Sequence, residues 1–247
     1  MTDPAQAPFL SIVIPAYNEE KRLPESLAQV DAFVRSQTFP VEVIIVNNNS
    51  TDNTTRIAQE FAVTHPNYLV LNEPRQGKGA AVHTGILACN GSYLFICDAD
   101  LSMPVSEIGK FLPPDLNGYD VAIASREIAG SRRIGEPYYR HLMGRIFNFI
   151  VRTLAIPGIQ DTQCGFKSFR REAARDIFAL QTIDGWGFDV EVLFIALQHG
   201  YRLVEVPITW HYRPQSRVSP IRDSIAMLLE VLSVRLNGLR GRYRRVK

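Results

Sequence analysis

Two near-continuous apolar runs of strand length, Leu10 to Pro15 and Val41 to Val46, constrain this chain more than any other feature in it. A strand that is apolar at every position has no face to give to water, so it must be covered on both sides, as strands of parallel α/β sheets are. Both runs end on polar or turn-forming residues, and between them Leu23, Leu27, Val30 and Phe33 recur at helical spacing. Together these predict a βαβ opening. The alternation continues. Ser50 or Thr51 is placed to cap a helix through Ile57, Ala58 and Phe61; Tyr68 to Leu71 reads as a strand, Gly79 to Ala88 as a helix, Tyr93 to Cys97 as a strand, Val105 to Leu112 as a helix and Val121 to Ala124 as a strand. The expected class is α/β, with a mainly parallel central sheet and helices on both faces.

Beyond Arg126 the pattern loosens into a loop carrying Arg132 and Arg133. Helices are then expected over Tyr138 to Leu154, Ala173 to Leu180 and Val190 to Gly200, with a strand over Leu203 to Trp210 that Pro207 pushes towards a sheet edge. With 247 residues, 46% of them hydrophobic and 21% charged, wholesale disorder and fibrous classes are excluded, and one large domain over 1–220 followed by a tail over 221–247 is the economical division. The tail holds Ile225, Leu228, Leu229, Leu232 and Leu236 at helical spacing, and after Glu230 its charges are all basic: Arg235, Arg240, Arg242, Arg244, Arg245 and Lys247. Such a stripe suits anionic headgroups, the protein's own core or a dimer seam, and peripheral membrane contact stays open with the oligomeric state. No signal peptide and no apolar stretch near the roughly 20 residues of a membrane span is read. Cys89, Cys97 and Cys164 lack metal-ligand spacing and suit a reducing compartment. The expected location is cytoplasmic, or peripheral on the cytoplasmic membrane face, with no nucleic-acid partner.

Asp98-Ala99-Asp100 carries the chemistry. It follows the strand Tyr93 to Cys97 and so sets two carboxylates at a strand's C-terminal mouth. Ligands of open α/β sheets collect there, and Mg²⁺ or Mn²⁺ is usually held by one or two carboxylates with phosphate oxygens. The plain alternative is that Asp100 caps the helix near Pro104.

Four separated segments then line up. Pro15-Ala16-Tyr17-Asn18-Glu19, Asn47 to Asp52, the Asp98 to Asp100 triplet, and Gly165-Phe166 with Trp186 to Glu191 resemble family 2 glycosyltransferases of the GT-A fold. Asp161-Thr162-Gln163-Cys164-Gly165-Phe166-Lys167, Trp186-Gly187-Phe188-Asp189-Val190-Glu191, and Trp210 followed by Ser216-Arg217 are similar to the polyprenyl-phosphate glycosyltransferases, the dolichyl-phosphate β-glucosyltransferases among them. The resemblance implies a metal-dependent, inverting transfer of glucose from UDP-glucose to a polyprenyl phosphate such as dolichyl or undecaprenyl phosphate.

By the same resemblance, Asp98 and Asp100 hold Mg²⁺ or Mn²⁺ against the donor diphosphate. Pro15, Ala16, Tyr17 and Glu19 with Asn47 and Asn48 frame the nucleotide, while Lys78, Ala99 and Arg217 approach its sugar and phosphates. Arg126 and Arg140 meet the acceptor phosphate, and Asp161, Gln163, Asp189 and Glu191 surround the reacting centre. Asparagines stand at 47 and 48 where the family pattern has aspartates, which loosens the assignment of the base. GDP-mannose as donor, a saccharide hydroxyl as acceptor with Asp189 or Glu191 as base, and a non-catalytic nucleotide-sugar-binding protein remain the alternatives.

Overall fold

A computed structural model describes residues 7–213 and 222–245. Seven strands form the central sheet: β1 (Leu10–Ala16), β2 (Val41–Asn47), β3 (Tyr68–Asn72), β4 (Tyr93–Ile96), β5 (Val121–Ser125), β7 (Lys167–Arg170) and β8 (Leu203–Pro207). Their spatial order is β3-β2-β1-β4-β7-β5-β8, and a two-stranded ribbon pairs β6 (Arg132–Ile134) with β9 (Thr209–His211). Every pairing in the large sheet is parallel except those of β7, which runs antiparallel between β4 and β5.

The apolar runs behave as doubly covered strands should. Along β2, Val43 and Ile45 enter one core while Ile44 and Val46 enter the other; along β4, Phe95 and its neighbours Leu94 and Ile96 divide the same way. The first core is closed by α1 (Leu23–Ser36) and α2 (Thr54–Val63), through Leu23, Leu27, Val30 and Ala58. The second is closed by α3 (Lys78–Ala88), α4 (Tyr138–Leu154), α5 (Arg171–Phe178), α6 (Phe188–Gln198) and α7 (Arg222–Leu239). Small residues let α3 lie close to the sheet: a Cβ on Gly85 would stand 2.4 Å from a methyl of Val13. The tail joins the domain, since Val231, Val234 and Tyr243 are buried in the second core.

Three local expectations differ. Helix α2 starts at Thr54 with Asn53 before it, so neither Ser50 nor Thr51 caps it; the Ser50 hydroxyl accepts the Asn18 N–H instead, at 3.0 Å. Val105–Phe111 is a 3-10 helix. The strand expected over Leu203 to Trp210 splits after Pro207, its first half lying at the sheet edge as a proline-bearing strand must. The pattern gave no warning of β6 or β7.

Candidate active site

Strands β1 and β4 are neighbours, yet the chain leaves β1 towards β2 and β3 on one side and reaches β4 on the other. This reversal opens a crevice at the C-terminal ends of the two strands, where α/β folds take ligands. The crevice is walled by Pro15 to Glu19 after β1 and by Asp98 to Asp100 after β4.

The first wall is fastened to the loop after β2. The Thr51 N–H donates to Asn18 Oδ1 at 2.7 Å, and the Glu19 N–H donates to the Thr54 hydroxyl at 2.7 Å. Glu19 also takes a two-pronged bond from Arg22, both contacts at 2.7 Å. Asn18 sits at φ 51, a left-handed conformation that asparagine tolerates better than most residues. Behind this wall, both asparagine amides are engaged by protein. Asn47 donates to Asn72 Oδ1 at 2.9 Å and accepts the Ser50 N–H at 3.2 Å. Asn48 donates to the carbonyls of Glu73 and Arg75, at 3.2 and 2.6 Å, and accepts the Gly77 N–H at 2.8 Å. A carboxylate at 48 has no N–H for those carbonyls, which gives the asparagine a structural reason.

Asn48 thereby holds the loop that delivers Lys78. Glu73 stiffens the same loop: Arg75 and Thr84 bond its carboxylate and pull its pKa down to about 2. At Gly77 the backbone has φ 143, and a Cβ there would lie 2.0 Å from the Asp184 carbonyl oxygen, so only glycine fits between the two loops. Lys78 then points into the crevice, with Nζ 2.5 Å from Asp98 Oδ1 and 5.7 Å from the centre of the Trp186 ring. Burial works against its charge, but Asp98, and beyond it Asp189 and Asp100, outweigh burial and hold its pKa above the ordinary lysine value.

The triplet is pinned from behind by the Ser26 hydroxyl, which donates to the Ala99 carbonyl at 2.6 Å. Asp100 Oδ1 accepts the Ser102 N–H at 2.9 Å, a local turn that orients its carboxylate without making it the cap of the 3-10 helix. Two half-exposed carboxylates of this kind suit a hard divalent cation that keeps water and phosphate oxygens in the rest of its shell. Among the described residues no group of three or more His, Cys, Asp or Glu side chains could hold a metal ion. Lys78 engages one oxygen of Asp98 and the Ser102 N–H one oxygen of Asp100, so the two carboxylates are alike in having one oxygen already bonded.

The segment Asp161 to Lys167 ties this crevice to the other side of the site, and every second residue does the work. Asp161 is buried and receives Arg126 through Nε at 2.7 Å, through a second guanidinium nitrogen at 3.0 Å and through the Arg126 main-chain N–H at 3.0 Å. Burial alone would raise its pKa; Arg126 reverses that and holds it below the ordinary aspartate value. Gln163 has a buried amide nitrogen with no partner among the described residues. Gly165 backs directly onto Asp98, where a Cβ would come within 1.9 Å of the carboxylate. Lys167 is fully buried, donates to the Cys164 carbonyl at 2.7 Å and pairs with Asp189. Asp189 is buried too, and here burial prevails over Lys167 and Lys78, so its pKa lies above the ordinary value.

On the far side a ladder of rings and guanidiniums continues from Arg126. Arg126 lies 5.4 Å and Arg133 6.0 Å from the centre of Trp210; Trp210 neighbours Tyr212 at 6.2 Å, and Arg140 lies 5.3 Å from Tyr212 while donating to its hydroxyl at 3.0 Å.

Of the residues expected from sequence, Asp98, Asp100, Lys78 and Asp189 come together, and Arg126 joins Asp161. Glu191 does not reach the crevice. Its carboxylate is solvent-inaccessible and takes four bonds, from the Thr182 N–H and hydroxyl, the Ile183 N–H and the Tyr243 hydroxyl. Arg217 lies outside the described residues. Sequence reasoning quoted Lys167 and Trp210 within family-like segments but gave neither a role at the site, and no local pattern around Lys167, which is followed by Ser168, Phe169, Arg170 and Arg171, marks it as buried.

The protein-family model described as glycosyl transferase family 2 matches residues 11–178, which takes in both walls of the crevice and the segment Asp161 to Lys167. The chain is a family 2 glycosyltransferase. The transferase is 34% identical to the dolichyl-phosphate beta-glucosyltransferase of Homo sapiens, over 95% of this chain and 77% of the relative. It is 32% identical to that of Saccharomyces cerevisiae, over 96% and 77%, and 32% identical to that of Dictyostelium discoideum, over 94% and 76%. Its fold matches glucosyl-3-phosphoglycerate synthase from Mycobacterium tuberculosis, crystallised with Mn²⁺, UDP-glucose and phosphoglyceric acid. That match has a TM-score of 0.63 at 20% identity, over 97% of this chain and 81% of the other.

Proposed function

We propose that this transferase moves glucose from UDP-glucose to the phosphate of a polyprenyl phosphate, by a single displacement that gives a β-linked lipid phosphate sugar. The observation that carries the reading is the segment Asp161 to Lys167, which joins the acidic crevice behind Asp98 to the buried Arg126–Asp161 pair. The names of the similar glucosyltransferases support the same donor sugar and lipid acceptor.

In this proposal an acceptor phosphate oxygen attacks the anomeric carbon, the bond from that carbon to the nucleotide diphosphate breaks, and UDP departs with the electron pair. Lys78 meets the negative charge that grows on the diphosphate, from a buried position where the charge is poorly screened. A divalent cation on Asp100 and Asp98, when bound, supplies Lewis-acid stabilisation to that same leaving group. Arg126, fixed in orientation by Asp161, offers its outer face to the acceptor phosphate, which a guanidinium recognises through two oxygens. A phosphate monoester with a second pKa of about 6 is already largely dianionic at neutral pH, so no general base is required. Asp189, tied to Lys167, orients the sugar. The nucleotide rests against Pro15, Ala16, Tyr17 and Glu19, while Asn47 and Asn48 hold the loops that frame it.

The test is a donor-by-acceptor screen of the purified protein with labelled UDP-glucose or GDP-mannose, each with polyprenyl phosphate or a saccharide acceptor, in Mg²⁺ or Mn²⁺. Lipid-linked glucose formed from UDP-glucose is the expected product. Mannose transfer overturns the donor assignment, and a saccharide product without a lipid product overturns the acceptor. Asp100→Ala lowers kcat by on the order of 10²–10³, the scale of losing a charge-stabilising group at a leaving oxygen, with thermal unfolding unchanged.

A further inference from the structure

Helices α4 and α7 pack side by side, and each turns an apolar stripe away from the core. On α4 the buried side is marked by Asn148 and Val151, whereas Tyr138, Leu142, Ile146 and Phe149 stand on the opposite side, Phe149 68% exposed. On α7 the buried side is Val231 and Val234, and Leu229, Leu232 and Leu236 stand opposite, ending at Leu239, 72% exposed. Large apolar side chains grouped like this on a surface mark an interaction site.

The charges around the stripes select the partner. Helix α4 contains no acidic residue and exposes Arg145. Helix α7 exposes Arg235, the chain beyond it exposes Arg240 and Arg242, and Glu230 on α7 is turned inward to accept the Gly187 N–H at 2.6 Å. A second copy of this chain is a poor partner, because a twofold contact lays the same patch on itself and sets one basic rim against the other. An anionic bilayer answers both features, with acyl chains for the stripes and headgroups for the arginines. No helix among the described residues is long and apolar enough to cross a membrane, so the contact is one of lying on the surface.

We infer that the adjoining outer faces of α4 and α7 form one docking surface for an anionic lipid bilayer. The inference stands on this surface alone and holds whichever acceptor the crevice takes.

The test is co-sedimentation of the full chain with phosphatidylcholine vesicles, with and without phosphatidylglycerol, in the absence of donor and polyprenyl phosphate, so the result is independent of transfer. Binding is expected to the anionic vesicles at low salt and to weaken as salt screens the arginines. The paired variants Ile146→Glu/Phe149→Glu and Leu229→Glu/Leu232→Glu each lower the partition coefficient at least about tenfold, the scale of withdrawing two large apolar side chains from the bilayer. Arg145→Glu/Arg240→Glu, which leaves the apolar stripes intact, lowers it at low salt by about fivefold or more per arginine. Three results overturn the inference: a chain that stays in the supernatant with anionic vesicles, partitioning unmoved by all three pairs, or a dimer by sedimentation equilibrium that Leu229→Glu/Leu232→Glu dissociates while vesicles bind neither form.

Discussion

The two sides of the crevice bury an aspartate each and treat it in opposite ways. On the Arg126 side, Asp161 meets a guanidinium through two oxygens and adds the Arg126 main-chain N–H. On the Lys78 side, Asp189 meets Lys167 through one oxygen, with Lys78 acting from further away. Burial penalises both charges, yet Arg126, through its charge first and its hydrogen bonds second, carries Asp161 below the ordinary aspartate value, while Lys167 and Lys78 leave Asp189 above it. The Asp161 carboxylate is therefore a fixture whose bonding capacity goes mainly to holding one arginine still. The Asp189 carboxylate, paired through one oxygen, takes up a proton more readily.

The largest effect expected from this contrast is on stability. Arg126→Ala leaves Asp161 buried without its partner, a loss of about 3–5 kcal/mol on the scale of broken buried pairs, read as a lower urea midpoint at unchanged slope. Lys167→Met is expected to do less damage, because the pKa of Asp189 is already raised and loss of the partner is relieved by uptake of a proton. Equal losses in the two variants would break the comparison.

A smaller effect tests the loop that serves the donor side. Asn48→Asp removes both N–H donors from the carbonyls of Glu73 and Arg75 and sets a carboxylate against them, at about 1–3 kcal/mol for buried groups left unsatisfied. Because this loop carries Lys78, the donor KM is expected to rise more than kcat falls. A fall confined to kcat would show that the loop tolerates the charge and that Asn48 acts on the reacting atoms.

The two sides also differed in how openly the sequence declared them. Strands β1, β2 and β4 are apolar at nearly every position, Ser11, Glu42 and the terminal Asn47 apart, so their positions, and the crevice at their ends, follow from the sequence; Asp98 and Asp100 were found because a buried strand must deliver whatever follows it to the sheet's edge. Strand β7 reads Lys-Ser-Phe-Arg and looks like a surface segment. It is nonetheless central, between β4 and β5, and Lys167 carries its charge inward to Asp189, a pairing made across 22 positions of sequence that no local pattern reveals. Glu191 misled for the converse reason. A carboxylate two residues after Asp189 belongs to the same family motif, but the helix turns it away to Thr182, Ile183 and Tyr243, so proximity in sequence was mistaken for proximity to the crevice.

The finest test of the comparison is the sign of two pH dependences. Asp161 has a depressed pKa in the folded chain, so as pH falls below the ordinary aspartate range the unfolded chain takes up its proton first. Stability present above that range is then lost as pH falls through the folded value. Asp189 has a raised pKa, so the folded chain takes up the proton first as pH falls from neutrality, and stability gained below the ordinary range is lost as pH rises through the folded value. Urea unfolding of metal-free protein across the acid limb separates the two. Asp161→Asn is expected to make the loss of stability in acid shallower, because the group that resists protonation in the fold is gone. Asp189→Asn removes a contribution of the opposite sign, so the variant no longer gains stability between neutrality and the ordinary aspartate range, and its remaining acid loss stands alone. If both substitutions changed the limb in the same direction, burial would dominate at both sites, and the distinction between a fixed carboxylate and an available one would fail.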